Sequence, residues 1–353
     1  SKIAGIGFYV PEKVVTNHDL ARYMDTSDEW IQERTGIKER RYLERMKESS
    51  TTLGAKASRI AIERAGITVE DIDFIIFATL SPDYYFPGNG VLLQRELGIT
   101  KTEIGALDIR NQCSGFVYGL SVADQFIKTG MYKNILLVGG EAHSIGLDYS
   151  TRGRGVTVIF GDGAGAVVLQ PTEETGQGVL TTKLHSDGTF AEKLAYINPG
   201  AHGGVHFDRM GQPQDFGYDP DREFGGLFIT QQMMDTPHMY PNMEGQAVFK
   251  MAVTKFPEVI HEALDDVGLS KSDIDMFIPH QANLRISQFV QKRLGLPDDK
   301  VWNNIQKYGN TTAASIPIAL CEAWEAGKVK EGDLVCLAAF GSGFTWGSAL
   351  IRW

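Results

Sequence analysis

Residues 61–76 read AIERAGITVEDIDFII, and residues 263–278 read ALDDVGLSKSDIDMFI. At this separation of 202 positions (263 against 61), six of the 16 residues are identical: Ala, Gly, Asp, Ile, Asp and Ile. Each copy reads as the end of a helix, a glycine stop, a capped turn and a buried strand. A second likeness, in the same chain order, sets residues 111–130 over residues 308–327 at a separation of 197. Both segments, NQCSGFVYGLSVADQFIKTG and YGNTTAASIPIALCEAWEAG, read as a tight turn entering an amphipathic helix that stops at glycine. An apolar strand follows each, Ile135–Val138 and Leu334–Ala338. One such match could be chance likeness between two βα units. Two in the same order favour a duplicated α/β chain, with halves 1–175 and 176–353. At the separation of 197, Cys113 falls over Asn310. A pseudo-twofold axis would then set both at helix N-termini, facing each other across a junction of the kind where ligand sites form.

Between the halves the composition shifts. Five of the ten Met (Met210, Met233, Met234, Met239 and Met243) fall between about residues 191 and 245. Pro213, Pro220, Pro237 and Pro241 join them, without sustained periodicity. The stretch reads as an insertion, and its Met and aromatic content suits a packed flap better than a linker.

The bulk properties narrow the function. Its 353 residues suit one large α/β domain or two fused halves. An apolar share of 42% and a charged share of 22% exclude wholesale disorder. No apolar run reaches about 18 residues, so no membrane span is expected. The chain opens directly into the strand-like Ile3–Val10 with no charged-then-apolar leader, so secretion is not expected. Three cysteines, an odd number without metal-ligand spacing, suit a reducing, cytoplasmic compartment and no metal. A net charge of −10 without a basic stripe argues against nucleic acid. An acidic partner would need a local basic patch.

Cys113 stands in Asn-Gln-Cys-Ser-Gly-Phe, where the first matched helix begins. Free N–H groups and the positive helix end are expected to lower its thiol pKa and make it a nucleophile; the alternative is a small buried apolar side chain. Cys321, in a helical pattern, and Cys336, in an apolar strand, fit that alternative. His280 follows the second buried strand in Ile-Pro-His-Gln-Ala-Asn, at a strand end where α/β folds carry catalytic groups. His18, His185, His202, His206, His238 and His261 read as solvated or structural, and His143 stays open. Asn310, taken alone, reads as a helix N-cap. Gly161-Asp162-Gly163-Ala164-Gly165-Ala166 looks like a nucleotide loop, but the strand-like Val167–Leu169 follows it where a helix would be needed. Gly341-Ser342-Gly343 lacks the spacing of a nucleophile elbow.

Together these residues resemble a family. Cys113, Pro279-His280-Gln281-Ala282-Asn283, Tyr308-Gly309-Asn310-Thr311 and the ending Phe340-Gly341-Ser342-Gly343-Phe344-Thr345-Trp346-Gly347-Ser348-Ala349-Leu350 are similar to the β-ketoacyl-acyl-carrier-protein synthase III enzymes. Asp25-Thr26-Ser27-Asp28-Glu29-Trp30 and Arg34-Thr35-Gly36-Ile37 belong to the same pattern. The likeness covers Ser1 to about Leu194 and Gly245 to Trp353, leaving the insertion outside it.

The resemblance implies an α/β, thiolase-like fold in which two pseudo-twofold βα halves make five αβαβα layers. It implies a decarboxylative Claisen condensation that starts fatty-acid synthesis. Cys113 would take the acyl group from acyl-CoA, and His280 and Asn310 would donate hydrogen bonds to the enolate of malonyl-acyl-carrier protein. Backbone N–H groups of Cys113 and Ser342 would hold the other oxyanion. The family usually carries Gly at the Ser342 position, so this side chain is expected to point away. Trp30 and Arg154 would sandwich the adenine of CoA, Arg34 would hold its phosphates, and Asn283 would lie near the pantetheine arm. Phe86 would reach across a homodimer to close the partner's acyl tunnel, which Phe340 would also line. Lys250, Arg285, Lys292 and Arg293, with Lys255 as a further candidate, would form the docking face for carrier protein. No cofactor is implied, because acyl-CoA is a substrate. Ala339-Phe340 stands where a non-decarboxylating thiolase needs a second Cys, and no general-base Glu stands out near the nucleophile. The Met-rich insertion suggests a medium-chain primer. The alternative is a related condensing enzyme or acyltransferase of secondary metabolism acting on a longer acyl-CoA.

Overall fold

The computed structural model describes residues 1–201, 229 and 231–353. The expectations for His202, His206, Met210, Pro213 and Pro220 lie outside the described residues. The first half contributes β1 (Lys2–Tyr9), α1 (Asp28–Thr35), α2 (Ser50–Arg64), β2 (Phe74–Ala78) and α3 (Asn89–Leu97). It continues with β3 (Gly105–Ile109), α4 (Gly115–Lys128), β4 (Ile135–Glu141) and β5 (Gly163–Gln170). After β6 (Gly178–Ser186), the short strands β7 (Leu194–Ala195) and β8 (Asn242–Met243) pair with each other. The second half is completed by α5 (Gly245–Asp266), β9 (Met276–Pro279), α6 (Leu284–Leu294), α7 (Ser315–Glu325), β10 (Leu334–Gly341) and β11 (Thr345–Arg352).

The two quoted copies fold alike. Gly66 (φ 68°) and Gly268 (φ 67°) take the left-handed conformation that ends their helices, which favours glycine. Two residues on, Thr68 N–H and Ser270 N–H each donate to an aspartate, Asp71 and Asp273, at 2.7 Å. The fully buried β2 and β9 follow.

The sheets repeat the same plan. The first runs β1-β5-β4-β2-β3 and the second β6-β11-β10-β9. In both, the middle pair is antiparallel and the next is parallel, with Phe74 facing Ile135 and Met276 facing Val335. The strand corresponding to β3 shrinks to a single parallel bridge between Phe277 and Val301.

Three apolar clusters hold the five layers of structure together. One lies between the sheets, where α4 and α7 contribute Phe116, Leu120, Ile316 and Leu320. Another lies under α2 and α3, around Leu53, Ala57, Phe77 and Leu93. The last lies under α5 and α6, around Phe256, Ile260, Phe277 and Val290. Burial of this kind contributes about 25 cal/mol per Å² of apolar surface, so the layer order itself holds the halves together. Among the described residues, no helix is long and apolar enough to cross a membrane.

One expectation needs correcting. The left-handed stops Gly130 and Gly327 are 197 apart (327 against 130), as the sequence alignment had it. The helix starts Gly115 and Ser315 are 200 apart (315 against 115), because α4 has 14 residues and α7 has 11. The turns before them, Gln112–Ser114 and Thr312–Ala314, match, with φ of 42° at Gln112 and 40° at Thr312. The structural counterpart of Cys113 is therefore Ala313, and Asn310 lies one turn upstream. The alignment was anchored on the glycine stops and could not see the extra turn.

Candidate active site

β10 gathers the candidate residues. Its Ala338 carbonyl accepts from His280 N–H at 2.8 Å, and Gly341, three residues on, packs directly on Cys113. A Cβ at Gly341 would come within 2.4 Å of the Cys113 Cβ and 2.9 Å of its Sγ, so glycine is required by proximity.

Cys113 is buried, and its thiol is pushed up to about 12. Burial is the main cause and the charge of Glu141 the next; the N–H groups of Ser342 and of Cys113 itself pull the other way. This corrects the expectation of a lowered pKa with no carboxylate nearby, because desolvation outweighs the helix end. The two N–H groups that face Sγ are the pair expected to form the oxyanion hole. The Ser342 hydroxyl turns away and donates to the Leu194 carbonyl, tying this loop to β7.

His280 is buried with its pKa lowered to about 3 by desolvation, so its ring is neutral at pH 7. Nδ1 lies 2.6 Å from Ser315 Oγ, while Nε2 is buried without a partner among the described residues. Ser315 Oγ also accepts from Gln281 N–H at 3.4 Å. In the tautomer whose Nδ1 accepts the Ser315 hydroxyl proton, Nε2 carries the ring hydrogen and is a buried donor without a partner. Asn310 Oδ1 accepts from Thr312 N–H at 2.8 Å, which leaves its Nδ2 as the free donor.

Glu141, which the sequence reading passed over, closes β4 and is fully buried. It accepts from Leu80 N–H and Ser81 N–H at 3.1 Å, from Ser81 Oγ at 2.6 Å, and from Thr312 Oγ1. His143 Nε2 lies 3.1 Å from Thr312 Oγ1. Since the Thr312 hydroxyl gives its proton to Glu141, His143 must be the donor in that bond, which settles the role left open for it. A charged residue ending the apolar run Ile-Leu-Leu-Val-Gly-Gly-Glu was the available signal.

Toward the surface, Ser27 Oγ caps α1 by accepting from Trp30 N–H at 3.1 Å. The Arg34 and Arg154 guanidinium carbons lie 4.5 and 5.1 Å from the Trp30 ring centroid. A flat ring between Trp30 and Arg154 needs contact distance on both faces, about 7 Å in all. At 5.1 Å Arg154 leaves no room for such a ring in this arrangement, in which it donates to the Asp25 carbonyl. Asn283 is spent on the fold: Oδ1 caps α6 through Arg285 N–H at 2.9 Å, and Nδ2 donates to the Arg34 carbonyl at 2.8 Å. Phe340 faces the side of β10 away from Gly341 and packs with Phe344 (4.9 Å) and Trp346 in the layer under α5. Residues alternate faces along a strand, so Phe340 lies on the opposite face of β10 from Gly341 and Cys113. Phe86 is 80% exposed beside Tyr84 and Tyr85, an apolar patch of the kind an interface covers.

The expected docking cations split. Lys250 and Arg285 lie at the α5–α6 junction, where Arg285 sits 5.9 Å from the Phe249 ring. Lys292 and Arg293 lie at the far end of α6 and fall in its last turn, where they favour the helix dipole. Lys255 is paired with Glu258 at 2.7 Å. A cavity of about 480 Å³ among Lys2, Gln170, Trp324 and Arg352 includes none of these residues. The glycines at 161–165 admit close packing, a Cβ at Gly161 meeting the Tyr308 carbonyl at 2.2 Å, and β5 follows as expected.

Comparison with known proteins decides the family. Residues 107–188 match the family described as 3-oxoacyl-[acyl-carrier-protein (ACP)] synthase III, and residues 264–353 match its C-terminal part. A β-ketoacyl-[acyl-carrier-protein] synthase III of Alkalilimnicola ehrlichii is 45% identical over 353 residues, covering 100% of this chain and 99% of that one. The chain belongs to this family.

Among solved structures, the synthase III of Aquifex aeolicus is 40% identical, with a TM-score of 0.85 over 100% of this chain and 99% of that one. The priming β-ketosynthase of a polyketide pathway is 30% identical, with a TM-score of 0.82 over 99% and 95%. As a synthase III, the protein is an acyltransferase-type condensing enzyme of fatty-acid synthesis with the thiolase fold.

Proposed function

We propose that this synthase III joins an acyl-CoA primer to malonyl-acyl-carrier protein by decarboxylative Claisen condensation. Cys113 sulfur attacks the thioester carbonyl, CoA leaves as the thiol, and the Ser342 and Cys113 N–H groups hold the oxyanion. The malonyl group then loses carbon dioxide. His280 Nε2–H and Asn310 Nδ2–H hold the enolate oxygen while its carbon bonds to the acyl carbon and the C–S bond to Cys113 breaks. The buried Nε2 of His280 carries this reading: a desolvated donor without a partner is costly unless a reacting oxygen completes it.

The protein acts as a homodimer through the Phe86 patch, and its three free, buried cysteines support a cytoplasmic setting. A medium-chain primer is supported by the Met-rich stretch between about 191 and 245, whose adaptable apolar side chains suit the wall or lid of a longer acyl tunnel. The secondary-metabolism alternative has the 30% identity to the polyketide enzyme behind it, against 45% for the fatty-acid relative.

Intact-protein mass spectrometry with a panel of acyl-CoAs reads the primer as a Cys113 adduct. His280→Ala and Asn310→Ala should each slow malonyl decarboxylation by about a hundredfold to a thousandfold while acylation survives. Equal collapse of acylation would make His280 the general base of the thiol.

A further inference from the structure

Thr312 is a β-branched residue held at φ 40°, a strained conformation that persists only where its surroundings over-determine it. The surroundings here are explicit. Its hydroxyl donates to Glu141 and accepts from His143, and both partners come from the other half of the chain. Its N–H holds Asn310 Oδ1 at 2.8 Å, and the Asn310 backbone is fixed by Ile159 O at 2.8 Å and Gly161 N–H at 3.1 Å. Glu141 is in turn fixed by Leu80, Ser81 and Thr79, so the carboxylate cannot follow Thr312 if that residue moves. The carboxamide of Asn310 can rotate about its side-chain torsions, and this single N–H contact decides which end of it faces the site.

We propose that Glu141 and Thr312 are positioning residues for condensation: Glu141 holds Thr312 in its strained turn, and Thr312 N–H holds the Asn310 carboxamide with Nδ2 toward the enolate. This rests on the enolate-donor reading of Asn310. The carboxylate serves by geometry across the junction of the halves, and neither residue touches substrate.

The test compares half-reactions in the full-length enzyme. Thr312→Val keeps the shape and loses the hydroxyl. It should slow malonyl-CoA decarboxylation by up to about a hundredfold, the scale of a misplaced catalytic group, with Cys113 acylation within a few-fold of wild type. Thr312→Ser should recover most of that loss. Glu141→Gln should behave like Thr312→Val without slowing alkylation of Cys113, a readout that a general loss of structure would move. In a double-mutant cycle, Thr312→Val on top of Asn310→Ala should cost nothing further, because both act through one amide. Additive losses, or equal losses of acylation and decarboxylation in Thr312→Val, would overturn the positioning role alone. Normal decarboxylation by Asn310→Ala would overturn the donor reading and this proposal with it.

Discussion

Gly341 lies against Cys113 so closely that a methyl group on it would fall 2.4 Å from the Cys113 Cβ. The relationship is reciprocal. A Cβ on Gly139 of β4 would fall 2.4 Å from the carbonyl of Ala313, the counterpart of Cys113. Each half thus seats its pre-helix turn on the central strand of the other. Gly341→Ala should displace the nucleophile and abolish the acyl adduct. Gly139→Ala should displace the Thr312–Ala314 turn, so that decarboxylation falls more than acylation. Adduct mass and carbon dioxide release separate the two outcomes; a Gly341→Ala enzyme that acylates normally would show that the contact relaxes without cost.

The raised pKa of Cys113 has a definite sign. With the thiol near 12, the thiolate is scarce at pH 7, and its fraction grows about tenfold per pH unit up to that value. Alkylation of Cys113 in the free enzyme should therefore climb steadily from pH 7 to 10. A plateau near pH 7 would mean that the helix end wins over burial after all. Cys321 is also held near 12, so thiol acidity does not single out Cys113, and its place between two N–H groups does.

The halves, their order and the buried strands were legible because glycine stops, the Asp71 and Asp273 turns and apolar runs are local signals. Cys113, His280 and Asn310 were legible as candidates for the same reason. What the sequence could not show was long-range or subtractive. The three-residue difference between α4 and α7 changes which residue faces Cys113. The desolvation of Cys113 depends on layers packed from both halves. Glu141 and Thr312 are 171 positions apart and meet only in the fold. The face of β10 on which Phe340 lies is likewise visible only in the fold, because resemblance gives a position but not a face.

Arg154 rests on Trp30 at 5.1 Å, too close for a base to stack between them. Binding CoA should then move Arg154, and the loss of its stack should change Trp30 fluorescence on titration with CoA. Pantetheine, which lacks the base, should leave the signal unchanged. Arg154→Ala should raise KM for acyl-CoA with little change for an acyl-pantetheine. Equal KM effects on both would place Arg154 outside the adenine site.

The split among the docking cations makes the last test a comparison. Arg285 and Lys250 are exposed at the α5–α6 junction, with the apolar Phe249 and the exposed Phe289 beside Arg285. Lys292 and Arg293 stand seven and eight residues further along α6 (292 and 293 against 285), or about 11 Å at 1.5 Å per residue. The protein carries a net charge of −10, so an acidic carrier protein must find a local positive patch, and apolar surface next to charge favours docking over mere solubility. Arg285→Glu and Lys250→Glu should raise KM for malonyl-acyl-carrier protein by about tenfold each, the scale of one lost charge contact of about 1.4 kcal/mol. Lys292→Glu and Arg293→Glu should have a smaller effect on KM and lower helix stability slightly through the dipole. Decarboxylation of malonyl-CoA, which needs no carrier, should be unchanged in all four. The order would be reversed, and the junction excluded as the docking face, if the two α6-terminal variants alone raised KM.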